Sequence, residues 1–149
     1  MNQYEREYEL KKVELTQIYD MIRTGDFICI SYNALEPVGF LRNLHTIKDR
    51  VENVTLRHGG LWYDYPFAGR EDMKGHFKAL TTFYDSFCRS HHTCRLASLV
   101  PGNMHNNTER VLEDHHINMY YGLAAPMDKN GFVRVPLNLV YEMDAIRSA

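Results

Sequence analysis

The side chains best equipped for chemistry in this 149-residue chain are its eight histidines, its three cysteines and a few carboxylates in suggestive places. Two stretches gather ligand types, "HHTC" at 91–94 and "EDHH" at 113–116. A metal needs donors that converge, but neighbours on a helix or strand point apart. Neither stretch has the spacing of a closed zinc site, so these read as surface or hydrogen-bonded histidines and no metal centre is expected. Cys29, Cys88 and Cys94 form no Cys-x-x-Cys pair, which fits reduced thiols in a cytoplasmic protein. Cys29 lies inside the apolar run "FICI" and reads as a small buried hydrophobe. No Gly-x-Gly-x-x-Gly follows that run and no Gly-x-Ser-x-Gly occurs, so neither a dinucleotide site nor a hydrolase elbow is expected. Glu36 stands just before an expected helix and reads as a partner of its dipole rather than a catalytic acid. The aromatic stretch "LWYDYPF" at 61–67 could stack on an adenine, but reads more simply as packing on its own domain or a partner domain.

Elements must hold these groups. In "VELTQIYDMIRTGD", Leu15, Ile18, Tyr19 and Ile22 fall on one helical face, and Gly25 follows as a terminator. "FICIS" reads as a strand buried on both faces. Pro37 suits the first turn of a second helix carrying Phe40, Leu44, Ile47 and Val51. "NVTLRH" alternates Val54, Leu56 and His58 like a strand. Helix, strand, helix, strand predicts a mostly parallel sheet with helices packed on it. Further on, the pattern predicts a short helix around 72–78, strand-forming residues in "LTTFYDSF", a strand in "CRLASLV", and a brief helix capped by Asn107 or Thr108. A strand in "INMYYGLAA", a turn at Gly131, a returning strand "FVRV" and a helix from "VYEMDAIRSA" complete the pass.

The length suits one domain, and 44% hydrophobic residues can fill a core. A net charge of −2 with both signs scattered points to neither nucleic acid nor an acidic arm. No apolar run approaches the roughly 20 residues needed to cross a bilayer, and the polar amino terminus is no secretory signal. The glycosylation triplets at Asn53 and Asn106 therefore read as chance.

The chain also resembles a known family in several places, in order. Asp128, Gly131, Phe132, Tyr141, Ala145, Ile146 and Ala149, with Pro126 before them, match the Asp-x-x-Gly-aromatic turn, Tyr and Ala-rich helix of acetyl-CoA hydrolases and CoA-transferases of the 4-hydroxybutyrate and butyrate–acetate type. Ile22, Gly25 and Asp26, the pair Glu36–Pro37, "VENVTLRH" and "GHF" at 75–77 are similar to further family positions.

The resemblance implies a CoA-transferase-like α/β fold and an incomplete amino-terminal domain over residues 1–149, with the family's catalytic Glu beyond residue 149. It implies CoA transfer between a short-chain acyl-CoA and a carboxylic acid through a glutamyl-CoA thioester, with coenzyme A as substrate and no resident cofactor. Open α/β sheets bind ligands at the carboxyl ends of their strands, which implies Asn33, Pro37 and His105 as substrate-binding residues near the acyl group. Ser31 and Leu35, with Tyr32 between them, stand where many members have glycines, implying a different or relaxed acyl pocket. Expected partners are the substrates, a missing catalytic domain or companion chain, and further copies of the chain; nucleic acid and membrane are not expected. The rival expectations are a non-catalytic binding or regulatory module on the same scaffold, shared with sugar-phosphate isomerases and their sensor relatives, and an inactive fragment.

Overall fold

A computed structural model describes residues 2–149 apart from 93–94, 104, 107–108, 110–111, 114, 136 and 138–139. Helix α1 (Gln3–Lys11) and α2 (Leu15–Met21) lead into β1 (Phe27–Ile30). A 3-10 turn at Asn33–Leu35, helix α3 (Val38–Asn43) and a second 3-10 segment reach β2 (Val54–His58). Short helix α4 (Pro66–Gly69) and a 3-10 turn precede β3 (Phe77–Thr81). Then come α5 (Ser86–His92), β4 (Ala97–Leu99), β5 (Met119–Tyr121) and α6 (Glu142–Ser148).

Among the described residues, the sheet has five strands in the order β4-β3-β2-β1-β5. Every pairing is parallel, with Cys29 opposite Arg57 on one side and opposite Tyr120 on the other. The expected mostly parallel α/β sheet is thus wholly parallel among the described residues. All four residues of β1 are buried, as a central parallel strand requires. Side chains alternate between two faces. Ile28, Ile30, Val54, Leu56, Phe77 and Ala79 enter the main core with residues of α2, α3, α4 and α5. Phe27 and Cys29 point the other way, into a smaller cluster with Tyr32, Ile117, Tyr141 and Ala145 of α6.

Sharp entries set the strands. Gly25 has φ +84°, and Asp26 Oδ2 accepts the Arg23 N–H at 2.8 Å, turning the chain into β1. Gly75 has φ +87°, and His76 Nδ1 bonds Val51 O at 2.8 Å before β3 begins.

Several expectations change. The helix expected around 72–78 is only a 3-10 turn at Glu71–Met73, because Gly75 ends it and Phe77 and Ala79 are drawn into the sheet core. "LTTFYDSF" supplies only the end of β3 and the start of α5. Residues 132–135 form no strand. The turn before them does form: Asp128 Oδ1 accepts the Asn130 and Phe132 N–H groups, and Ala125 N–H donates to Arg134 O. The brief helix's cap at Asn107 or Thr108 lies outside the described residues, as do Cys94 and Asp114 of the two histidine stretches. Helix α1 was not expected: it buries no residue and is started by a reciprocal cap between Asn2 and Glu5.

Candidate functional site

In a parallel sheet the crevice beyond the carboxyl ends is widest where the strand order reverses. Here that is between β1, whose chain continues toward β2, and β5 on its other side. Residues 31–37, 59–65, 82–85 and 122–123 make this rim.

Beside the reversal, Ser31 is fully buried and its hydroxyl meets the Tyr120 hydroxyl at 2.6 Å. A side chain on Gly122 would lie 2.1 Å from Ser31 Oγ, so only glycine lets β5 leave the sheet there. Tyr32 is buried; its ring lies against the Gly59 backbone, where an added Cβ would sit 1.6 Å from the ring. The Tyr32 ring also meets Phe83 and Tyr141 edge-on, each at 5.9 Å.

Below the rim lies a charged, aromatic layer. Glu142 accepts the Tyr32 N–H at 3.1 Å and the Val140 and Tyr141 N–H groups at 2.6 and 3.0 Å. The Tyr141 hydroxyl donates to Ile30 O. The Arg57 guanidinium, buried in β2, stands 4.9 Å from the Tyr141 ring centroid, a cation–π geometry. Burial pushes the Cys29 thiol up to about 12, against the pull of Arg57, so this cysteine is no nucleophile. His58, at the end of β2 on the opposite face, is also buried, and neither ring nitrogen has a hydrogen-bond partner among the described residues. Burial, then the Arg57 charge, holds it down at about 3, so it is neutral at physiological pH.

Glu36 is 4% exposed. Its Oε2 accepts the Trp62 N–H at 3.0 Å and its Oε1 accepts the Tyr65 hydroxyl. Burial raises its carboxyl above the ordinary range; the Trp62 N–H opposes this, and the Asp85 charge adds to it. The helix-dipole reading of Glu36 is therefore corrected: its partners are on the loop after β2, which sequence spacing could not show.

Of the three site residues expected from sequence, Asn33 and Pro37 share the loop after β1. Asn33 has φ +41°, and its Oδ1 lies 2.8 Å from where a Gly60 Cβ would be. Pro37 is buried at the start of α3. His105 is exposed in a turn closed by Asn106 N–H to Asn103 O, following β4 at the far edge of the sheet. No hydrogen bond or ring contact among the described residues joins it to the other two. Arg57 and Glu142 were not singled out from sequence, and Tyr141 was named there only as a match to the family's Tyr. The signal was an arginine inside the strand "VTLRH" and a Glu straight after Tyr in "VYEMD". Among the described residues, no group of three or more His, Cys, Asp or Glu could hold a metal, and no helix is long and apolar enough to cross a membrane.

Fold and rim together define an all-parallel α/β domain with a crevice at its carboxyl edge. RipA from Yersinia pestis has a similar fold, with a TM-score of 0.74 at 19% identity over 89% of this chain and 33% of that one. Two point-mutant RipA structures give 0.75 and 0.76 at 17% identity, over 89% of this chain and 32% of theirs. At those identities the likeness is one of fold. In sequence, the chain is 28% identical over 148 residues to the succinyl-CoA:cyclohexane-1-carboxylate CoA transferase of Geobacter metallireducens, covering 98% of this chain and 33% of that protein. This supports a CoA-transferase-like family. No family model matches the sequence, and the chain spans about a third of the length of the relatives it matches.

Proposed function

We propose that these residues form the amino-terminal part of a CoA transferase that moves CoA between a short-chain acyl-CoA and a carboxylic acid. The observation that carries this is the identity to a CoA transferase, sustained over 98% of the chain. In the reaction, a Glu carboxylate outside this chain attacks the thioester carbonyl, forming a mixed anhydride and releasing CoA thiolate. The thiolate then attacks the glutamyl carbonyl, forming glutamyl-CoA and freeing the donor acid. The acceptor carboxylate attacks the glutamyl carbonyl, releasing CoA thiolate and forming a second mixed anhydride; the thiolate then attacks the acceptor's acyl carbonyl, giving the new acyl-CoA and freeing the Glu carboxylate. Coenzyme A enters as a substrate.

The part of this chain is to wall and orient the acyl end. We assign that role to Asn33, through its amide, and to Pro37 and His105 as lining. The relative's name pairs succinyl-CoA with a cyclic apolar acid, so an apolar carboxylic acid is the acceptor class to test first. A companion region or chain supplies the nucleophile, and self-association covers part of the surface.

The test is CoA transfer from acetyl-CoA or succinyl-CoA to a panel of short and cyclic acids. The full-length protein containing these residues should transfer, and residues 1–149 alone should not. Transfer by the 149 residues alone would overturn the placement of the nucleophile. Absence of transfer by the full-length protein with every pair would overturn the function itself.

A further inference from the structure

Four large aromatic side chains stand exposed on the loops after β2 and β3: Trp62 at 70%, Tyr63, Phe83 and Tyr84. Beside Trp62 and Tyr63 lies an open cleft of about 300 Å³, floored by Leu61 and Phe87 and edged by Ser86 and Ser90. Exposed aromatics on a mobile loop would define no surface, yet this loop is tied at both carboxyl-edge neighbours. Asp85, after β3, accepts the Leu61 N–H at 3.0 Å on Oδ2 and the Cys88 N–H at 2.7 Å on Oδ1. Glu36, after β1, accepts the next N–H along, that of Trp62, and the Tyr65 hydroxyl. The loop's entry leaves no room for side chains. Gly59 lies under the Tyr32 ring, and Gly60, at φ +143°, has Asn33 Oδ1 and Asp85 Oδ2 at 2.8 and 3.3 Å from where a Cβ would be.

Resting on the CoA-transferase reading above, we propose that Glu36 is a positioning residue: it clamps the Trp62–Tyr63 segment so that this aromatic face forms a fixed wall for the apolar part of the acyl substrate. Glu36 touches no reacting atom. It acts through two donors that bracket the aromatic tip, and Asp85 holds the adjoining residue. A carboxylate taking a backbone N–H and a phenol is a stronger tie than neutral partners would make, and its loss frees the tip without emptying the main core.

The experiment compares Glu36→Gln and Tyr65→Phe with the unsubstituted full-length protein by two readouts. The first is limited chymotrypsin cleavage after Trp62 or Tyr63, followed by mass. Cleavage there should quicken ~10-fold in Glu36→Gln and ~3-fold in Tyr65→Phe, because it tracks local opening. The second is steady-state CoA transfer. The acceptor KM should rise ~10-fold while kcat stays within about twofold, a split that general loss of fold would not give. Cleavage unchanged in both variants overturns the clamp. Faster cleavage with an unchanged KM overturns the wall. If Glu36→Gln does not fold, Tyr65→Phe carries both readouts, since it removes a single donor. If the unsubstituted protein transfers no CoA, the functional reading fails, and cleavage alone then decides the clamp.

Discussion

The two faces of the sheet are built on different principles. The face under α2 to α5 is a broad apolar core of Ile22, Ile28, Leu41, Leu56, Phe67, Met73 and their neighbours. The face under α6 is small and carries Arg57, Tyr32, Tyr141 and Glu142 around Cys29. The first gains stability from area removed from water, at roughly 25 cal/mol per Å². It tolerates small volume changes because many partners share the load. The second depends on a few directed bonds, where one missing acceptor strands several buried donors. The polar face also reaches the rim, since Glu142 binds the backbone of Tyr32 and the Tyr32 ring lies on Gly59. The face that is poorer in apolar packing is thus coupled to the candidate site by directed bonds, whereas the main core reaches it through the packing of Leu61, Tyr65 and Phe87.

Paired substitutions can break this contrast. Glu142→Ala leaves three backbone N–H groups without their acceptor and should lower stability by about 3–5 kcal/mol. Ile28→Val, in the strand beside it but facing the main core, should cost only about 1 kcal/mol. Urea midpoints of the two variants measure the difference, and equal losses would erase the distinction between the faces.

His58 gives the next largest effect. Its unfolded-state value is the ordinary 6.5 and its folded value about 3. The unfolded chain therefore binds the proton first, so this contribution is full above pH 6.5 and is lost as the pH falls below it. The slope is up to about 1.4 kcal/mol per pH unit. His58→Leu should flatten the stability profile between pH 6.5 and 5, read by denaturant titration at each pH. Glu36 runs the opposite way: its raised carboxyl favours the folded state at low pH and loses that advantage as the pH rises. The smallest effect belongs to α1. Asn2→Ala removes its cap and should weaken that helix by about 1 kcal/mol, yet leave the unfolding midpoint unchanged because no residue of α1 is buried. Helical circular dichroism would show the first and a thermal melt the second.

Much of the fold was legible because its strands follow burial. "FICI" and "NVTLRH" have patterns that only a sheet between layers satisfies, and both are strands. Helix α2 was marked by its apolar face and Gly25. Helix α1 was passed over because it has no apolar stripe, although Asn2 and Glu5 had the spacing of a reciprocal cap. The strand starting at Phe77 was misjudged because local propensity around 72–78 gives way to pairing with β2. The candidate site was less legible. Asn33 and Pro37 sit on the rim by virtue of following β1, which topology predicts. The partners of Glu36, by contrast, lie 26 and 29 residues along the chain, and no local pattern encodes such a pairing.

The start of α6 and the end of β1 are joined by bonds between residues 110 and 111 positions apart, Tyr32 to Glu142 and Tyr141 to Ile30. On the ribosome, β1 through β4 emerge in an order that lets each strand add to the last. The outer side of β1 has to wait for residue 119, and Tyr32 waits for Glu142. A nascent chain paused after β4 and before β5 would hold a four-stranded sheet with an open edge at β1, which makes that interval of synthesis the one most exposed to mispairing and to chaperone capture.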